Sequence, residues 1–450
     1  MNVPNRLISA STGRHAIVIG AGMGGLAAAV ALAGSFERVT VLERDVLRLD
    51  PLPRAGAPQS TQVHGLLGGG LRALCTLLPG FERDLALAGA TRIRMGLDDC
   101  VEIPGCEPFP RRDLGMEAYT LTRPLLELTL RGRVQRLPNV TLRGQSRVVE
   151  IVAGDDGAVC GVRCRGAEQV LSADLVVDAS ARGLLTAALL EATGWPAVER
   201  TVIGIDLHYV STTFEMPQRR RDWKIVLMFP EGQSDSKAGF LVPVEGNRWM
   251  VAIGERHAPP PAPEEASFRE LARGLRMPTI HEAIASARRV GRIDRFALPE
   301  SSRRHYERQG GFPRGLLPIG DAICRFNPIY GQGMSVAAKE ALILRELLRA
   351  RRGAKDPLAG LGEAFIVAVH PVIEAAWGMS AVPDLAHPLT RGARPAGLEE
   401  ELQAALALNR LAVRDAEVHR RLTAVHHLIE PPSVLQAPDF VRRVELEMAA

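Results

Sequence analysis

One short stretch near the start limits what this chain can fold into more than any other: residues 15–45 read HAIVIGAGMGGLAAAVALAGSFERVTVLERD. An apolar run ends in Gly20-Ala21-Gly22-Met23-Gly24-Gly25, an Ala/Leu-rich stretch follows, and a second apolar run closes on Glu43-Arg44. This order predicts strand, glycine turn, helix, strand. A G-x-G-x-x-G pattern alone is a weak signal. Here it follows an apolar strand, opens a helix and precedes, 18 positions beyond Gly25, an acidic residue at the end of the next strand. Each part has a physical reason: Gly20 permits the tight turn, Gly22 lets the backbone approach a pyrophosphate, and Gly25 allows helix and strand to pack closely. The phosphates rest on the helix N-terminus. The Glu43 carboxylate accepts from ribose hydroxyls, which favours FAD or NAD over a 2′-phosphorylated nucleotide.

The rest of the composition excludes several classes. With 450 residues, 46% hydrophobic and 24% charged, the chain has core enough for two or three folded units. Its 55 basic residues against 51 acidic ones leave a net charge of only +4, so no nucleic-acid partner is expected. Cysteines at 75, 100, 106, 160, 164 and 324 match neither a redox pair nor zinc spacing, which fits a reducing cytoplasm and no metal site. Met1 to Arg14 lacks an apolar signal core and no run of 18 apolar residues occurs, so no transmembrane segment is expected.

Further along, a polar, Pro/Gly-rich stretch (50–59) leads to a Leu-rich one, His64 to Leu78, that reads as a helix, and 119–135 reads as another. Val140 to Gly166 reads as a hairpin turning at Asp155-Asp156-Gly157, and 174–179 (DLVVDA) as a buried strand. Between about 200 and 298 alternating runs such as VIGIDLHYVSTTF, WKIVLMF, GFLVPV and RWMVAIGE predict a separate sheet. Residues 315–348 read as strand, turn and long helix, and the chain after Asp356 is largely helical. Leu398 to Ile429 reads as one helix with apolar positions at helical spacing. Packing against the protein and peripheral membrane contact both suit that pattern.

With Glu43-Arg44, Arg123 in TRPLLE, the DLVVDAS strand and GDA…NPIYGQGM in this order, residues 15–350 resemble FAD-dependent monooxygenases of the para-hydroxybenzoate hydroxylase fold. Four stretches look most like the branch of bacterial polyether epoxidases and squalene-epoxidase-like enzymes: RAGAPQSTQVHGLLGGG (54–70), DLVVDASARGLLT (174–186), VIGIDLHYVSTTF (202–214) and GDAICRFNPIYGQGM (320–334). The resemblance implies an α/β fold. Residues 12–85, 117–195 and 300–352 would form a Rossmann-like FAD-binding domain, 86–116 and 196–299 an inserted, mainly β substrate domain, and 353–450 a C-terminal helical region.

It also implies roles. Asp321 would accept from a ribitol hydroxyl of FAD, and Arg123 would lie near the ribose and phosphates. The Val148 backbone would meet the adenine. Pro328 would shape the loop facing the flavin, with Gly331, Gly333 and Met334 at the start of the helix that stabilises charge on the reduced ring. Gly20, Gly22, Gly24, Gly25, Glu43 and Arg44 complete the expected cofactor set.

Two departures matter. Many relatives carry an Asp-Gly pair where this chain has Asp178-Ala179-Ser180-Ala181-Arg182, so NADH or NADPH would serve as direct or indirect electron donor, with a separate flavin reductase or ferredoxin-type protein as a candidate partner. Gln62 replaces the first of two histidines common beside the flavin, and His64, the second, suits either a pocket role or a structural one. In such enzymes reduced FAD traps O2 as a C4a-hydroperoxide and passes one oxygen atom to the substrate, so no catalytic side chain is assigned. With only 4% aromatic residues, the expectation is epoxidation or hydroxylation of an apolar, isoprenoid or polyketide-like secondary metabolite. A flavin-dependent reductase of prenyl double bonds and a non-catalytic flavin-binding protein are the alternatives. The W-x-W-x-I-P motif of flavin halogenases is absent, Trp223 standing in WKIVLMF instead.

Overall fold

The computed structural model describes residues 12–218, 221–231 and 236–449. Strand Gly13–Ile19 is central in a five-stranded sheet ordered Leu316–Pro318, Leu175–Asp178, Gly13–Ile19, Phe36–Leu42, Val140–Arg143, every pair parallel. Its strands are near-continuous apolar runs because both faces are covered. Helix Met23–Ala33 packs on one face beside helix Gly333–Ala350, and a Cβ on Gly24 would stand 3.4 Å from that of Ala337.

Three expected elements are redrawn. The hairpin expected over 140–166 is split: Val140–Arg143 joins the parallel sheet, and only Val148–Ala153 and Val159–Cys164 pair antiparallel. Gln145, at φ 55°, turns the chain between them. The helix expected from His64 begins at Gly68, and the one expected from 119 begins at Arg123, with Thr122 as its N-cap. Glu117–Thr120 is instead a strand paired with Thr91–Arg94.

The second sheet has seven strands, ordered Cys324–Arg325, Asp294–Arg304, Arg200–Glu215, Arg248–Arg256, Ala238–Val244, Ile225–Met228, Asp99–Glu102. Alternation along these strands gives it two different faces. Phe214, Val226, Leu241 and Val251 pack outward against helices Glu265–Arg273 and Thr279–Ile284 through Phe268 and Ile280. The opposite face, carrying Tyr209, Leu227, Phe240, Ala252 and Phe296, lines a cavity.

Helices Leu361–Leu385, Leu398–Arg414, Ala416–His426 and Pro438–Met448 complete the described chain. The single helix expected over 398–429 breaks at Asp415, which takes an extended conformation and accepts the amides of Glu417 and Val418 at 2.8 and 3.0 Å. The apolar spacing there serves packing, since Ala412, Val418 and Leu422 form a small core with Phe440. By length and composition Leu361–Leu385 could cross a membrane. Its Phe365, Val369 and Ile373 join the main core, however, while Met379, Val382 and Pro383 line the cavity.

Candidate active site

The glycine turn is shaped for a close approach. Gly20 sits at φ +100°, and a Cβ on Gly25 would stand 1.9 Å from the Gly20 carbonyl oxygen, so helix and turn touch backbone to backbone. A Cβ on Gly22 would meet only the Arg54 guanidinium, at 3.8 Å, so the backbone there has open space beside it. Glu43 is buried. It accepts the amides of Ala21 at 2.8 Å and Asp45 at 3.1 Å, and Arg54 lies 3.1 Å from it. Arg54 also pairs with Asp45 and Glu127 at 3.1 and 2.8 Å, placing a guanidinium over the phosphate end of the turn. Arg54 is a site residue beyond those the sequence pattern points to; an Arg two residues ahead of a Gly in a polar loop is its only local signal. Arg44, which was singled out, stays at the surface beside Asp45.

Arg123 and Asp321, far apart in sequence, converge beneath this turn. Arg123 opens its helix in a buried position, with Nε lacking a hydrogen-bond partner among the described residues and Glu127 3.8 Å from its guanidinium. Burial lowers its pKa, against the pull of Glu127 and Asp321. Burial likewise raises the Asp321 carboxyl, opposed by Arg123 and Arg325. Asp321 lies in a short turn whose Gly320 amide donates to Glu340 at 2.6 Å, and a Cβ on Gly333 would come within 3.8 Å of its Oδ1. Val148 opens a strand two residues after Ser146, whose amide donates to the Glu43 carbonyl at 2.7 Å. The open space at Gly22, the orphaned Arg123 Nε and the buried Asp321 acceptor fit a flavin adenine dinucleotide: phosphate, ribose and ribitol each need what one of them offers.

Asp178 is committed elsewhere. It is fully buried and accepts the Ser180 amide at 3.0 Å, the Thr186 amide at 3.2 Å and the Thr186 hydroxyl at 2.7 Å. Ala181 occupies left-handed backbone at φ 65°, a conformation costly for any residue with a Cβ.

Beyond the dinucleotide end a cavity of about 1080 Å³ lies between the seven-stranded sheet and the C-terminal helices. Pro328, Gly331 and Gln332 form part of its wall, at the entrance to helix Gly333–Ala350. Gly331 is at φ 67°, and Met334 is buried in the first helical turn. His64 stands opposite. Its Nδ1 lies 2.9 Å from the Gln62 carbonyl, which can only accept, so Nδ1 carries the proton and Nε2 keeps its lone pair. Burial, reinforced by Arg123, pushes the imidazole down to about 3, so it is neutral in use. Gln62 in turn accepts the Ser211 hydroxyl at 2.6 Å, tying this loop to strand Arg200–Glu215.

The loop carrying Asn327 and Tyr330 is held from behind by a network of residues distant in sequence. Asp384, fully buried on helix Leu361–Leu385, accepts from Arg256 at 3.1 Å, Asn327 at 2.8 Å and the Tyr330 hydroxyl at 3.2 Å. Sheet, C-terminal helix and loop thus meet at one carboxylate.

Residues 14–357 match the protein family described as FAD binding domain. Protein Rv3254 of Mycobacterium tuberculosis is 33% identical over 408 residues, covering 85% of this chain and 84% of its own. Among solved structures, the flavin-dependent brominase Bmp2 superposes with a TM-score of 0.66 at 15% identity, over 97% of this chain and 99% of that one. PqsL of Pseudomonas aeruginosa, described as a probable FAD-dependent monooxygenase, gives 0.62 at 18% identity, over 90% of this chain and all (100%) of its own. At such identities the two structures speak for the fold. The chain belongs to the FAD-binding-domain family and has the fold of flavoprotein monooxygenases of the para-hydroxybenzoate hydroxylase type.

Proposed function

We propose that the protein is an FAD-dependent monooxygenase that places one atom of O2, by epoxidation or hydroxylation, into an apolar secondary metabolite of isoprenoid or polyketide-like type. The observation that carries this reading is the cavity of about 1080 Å³, walled on the sheet side by Leu227, Phe240, Ala252 and Phe296 and reaching the loop at Gly331 and Gln332. Bound FAD supplies the oxygen chemistry, and the protein has to orient the substrate and keep water out. The apolar sheet face excludes water. The amides of Gly333 and Met334, at the start of helix Gly333–Ala350, would be free to stabilise negative charge on the cofactor. Neutral His64 offers Nε2 as an acceptor at the same wall.

NADH or NADPH is the electron source, acting through a separate flavin reductase. What supports the indirect route is Asp178, whose carboxylate is taken up by its own turn. A reducing cytoplasm suits the six free cysteines.

The test is an anaerobic visible spectrum followed by oxygen labelling. The purified protein should show a flavin band near about 450 nm that bleaches with NADPH only when a flavin reductase is added. With ¹⁸O₂ and an isoprenoid substrate panel, product should carry one labelled oxygen. Anaerobic saturation of a prenyl double bond would instead establish the reductase alternative, and a flavin that no reductant bleaches would establish a non-catalytic protein.

A further inference from the structure

The cavity has an electrostatic character that its apolar walls conceal. Of the chain's 55 Arg and Lys residues, none among the described residues lines it, whereas Asp99, Glu231, Glu374 and Glu401 do. Glu374 is paired with Arg303 and Glu401 is exposed on the C-terminal side. Asp99 differs from both. It lies on the edge strand Asp99–Glu102, where alternation sends Asp99 and Val101 into the cavity while Cys100 packs behind the sheet and Glu102 bonds Thr279.

The nearest basic side chains in sequence and register are engaged elsewhere: Arg94 and Lys224 pair with Asp98 at 3.0 and 2.9 Å. Asp99 Oδ1 is buried with no hydrogen-bond partner among the described residues. Burial lifts its carboxyl to about 6, and the neighbouring charge, Asp98, has the same sign. Of the five cavity histidines, burial pushes His64 to about 3 and His419, His426 and His427 to about 4, while His370 stands against Glu307 and Glu374, at 3.6 and 3.9 Å, on the C-terminal helix side.

Asp99 also stands far from the cavity's other end. Four strand spacings separate its strand from Arg200–Glu215, which carries Tyr209, a span of roughly 19 Å across the sheet. A half-buried carboxylate with one sealed oxygen and no counter-ion among the described residues, in a long, largely apolar cavity that no described Arg or Lys lines, lacks one complement: a cation on an apolar stem.

We propose that the substrate is an apolar molecule bearing a basic amine, and that Asp99 seats the ammonium group and so determines specificity. This rests on the reading of the cavity as the substrate site. It excludes carboxylates, phosphates and acyl thioesters of phosphorylated carriers as the group bound at this end.

The experiment uses the FAD-loaded protein and three probes of equal chain length, decylamine, decanol and decanoate, below their aggregation limits. Binding is read by calorimetry and by perturbation of the flavin absorption. Decylamine, charged at pH 7.5, should bind at least about tenfold tighter than decanol, with decanoate weakest. In Asp99→Asn, checked for folding by its FAD content, the amine-to-alcohol preference should fall to about onefold. Decanoate binding as tightly as decylamine, decanol matching decylamine on the unaltered protein, or a preference that survives Asp99→Asn would each overturn the proposal. The ranking on the unaltered protein stands even if the variant fails to fold. Because none of these readings involves oxygen, the two proposals fail separately. Amine preference without oxygen incorporation would sink only the oxygenase reading, and decanoate preference only this one.

Discussion

Glu340 is fully buried in helix Gly333–Ala350, with Oε2 accepting the Gly320 amide at 2.6 Å and Oε1 without a hydrogen-bond partner among the described residues. Burial, with Asp321 adding like charge, raises its carboxyl from 4.5 to about 7. Each pH unit of displacement is worth about 1.4 kcal/mol, so ionised Glu340 costs the fold up to about 3 kcal/mol. The sign follows from the direction. A pKa raised by folding contributes stability that is complete below about 4.5 and is lost as pH rises through 7.

Glu340→Gln keeps an oxygen for the Gly320 amide and removes the charge. Relative to the parent it should gain under about 1 kcal/mol at pH 5 and about 3 kcal/mol at pH 8, plus a constant offset for its amide group. At about 2.1 cal/mol/K per residue, a chain of this length unfolds with an entropy near 1 kcal/mol/K. The Tm gap between variant and parent should therefore widen by about 2 °C from pH 5 to pH 8, read by calorimetry on the FAD-loaded proteins. A gap independent of pH, or one that narrows towards pH 8, would refute the reasoning whatever the offset.

Removing the Arg256 guanidinium leaves Asp384 buried without a cation, so Arg256→Leu should cost about 3–5 kcal/mol in urea unfolding, while Arg256→Leu combined with Asp384→Leu should cost less than the single change. In Gly25→Ala the new Cβ would overlap the Gly20 carbonyl, so this variant should purify without FAD, whereas Gly34→Ala, with nothing within 4 Å, should remain yellow. Arg123→Met removes the buried guanidinium whose Nε is orphaned, and FAD affinity should fall by roughly ten- to a hundredfold in a flavin-fluorescence titration. Gly254→Ala places a Cβ 2.7 Å from the Tyr209 ring, so decylamine binding should weaken while FAD content is unchanged.

What could be read from sequence was what is local. The glycine turn, its flanking strands and Glu43 sit within about thirty residues, and their order is dictated by backbone sterics and phosphate geometry. Asp415 shows a signal that was present and overlooked: an Asp followed two and three residues on by amides it can accept is a helix start, which divides the apolar pattern of 398–429 in two. Val140–Arg143 shows a signal that was ambiguous, because alternation says that a strand has a buried face and nothing about which strand it joins. The remainder is non-local. Asp384 meets a partner 128 positions away, Glu340 meets one 20 away across a turn, and the absence of cations around the cavity depends on which side of seven strands each residue faces. No spacing rule carries that information.

The carboxylate that joins the sheet, helix Leu361–Leu385 and the loop at Asn327 and Tyr330 also sets an order of events during synthesis. Asn327 and Tyr330 leave the ribosome well before Asp384, so the nascent chain presents its nucleotide turn while the loop above the ring is still untethered. The loop gains its anchor only when helix Leu361–Leu385 has been made. A chain that stops short of residue 384 would carry every glycine of the nucleotide turn and yet lack the anchor of that loop, which makes retention of the yellow colour a gauge of whether translation passed that residue.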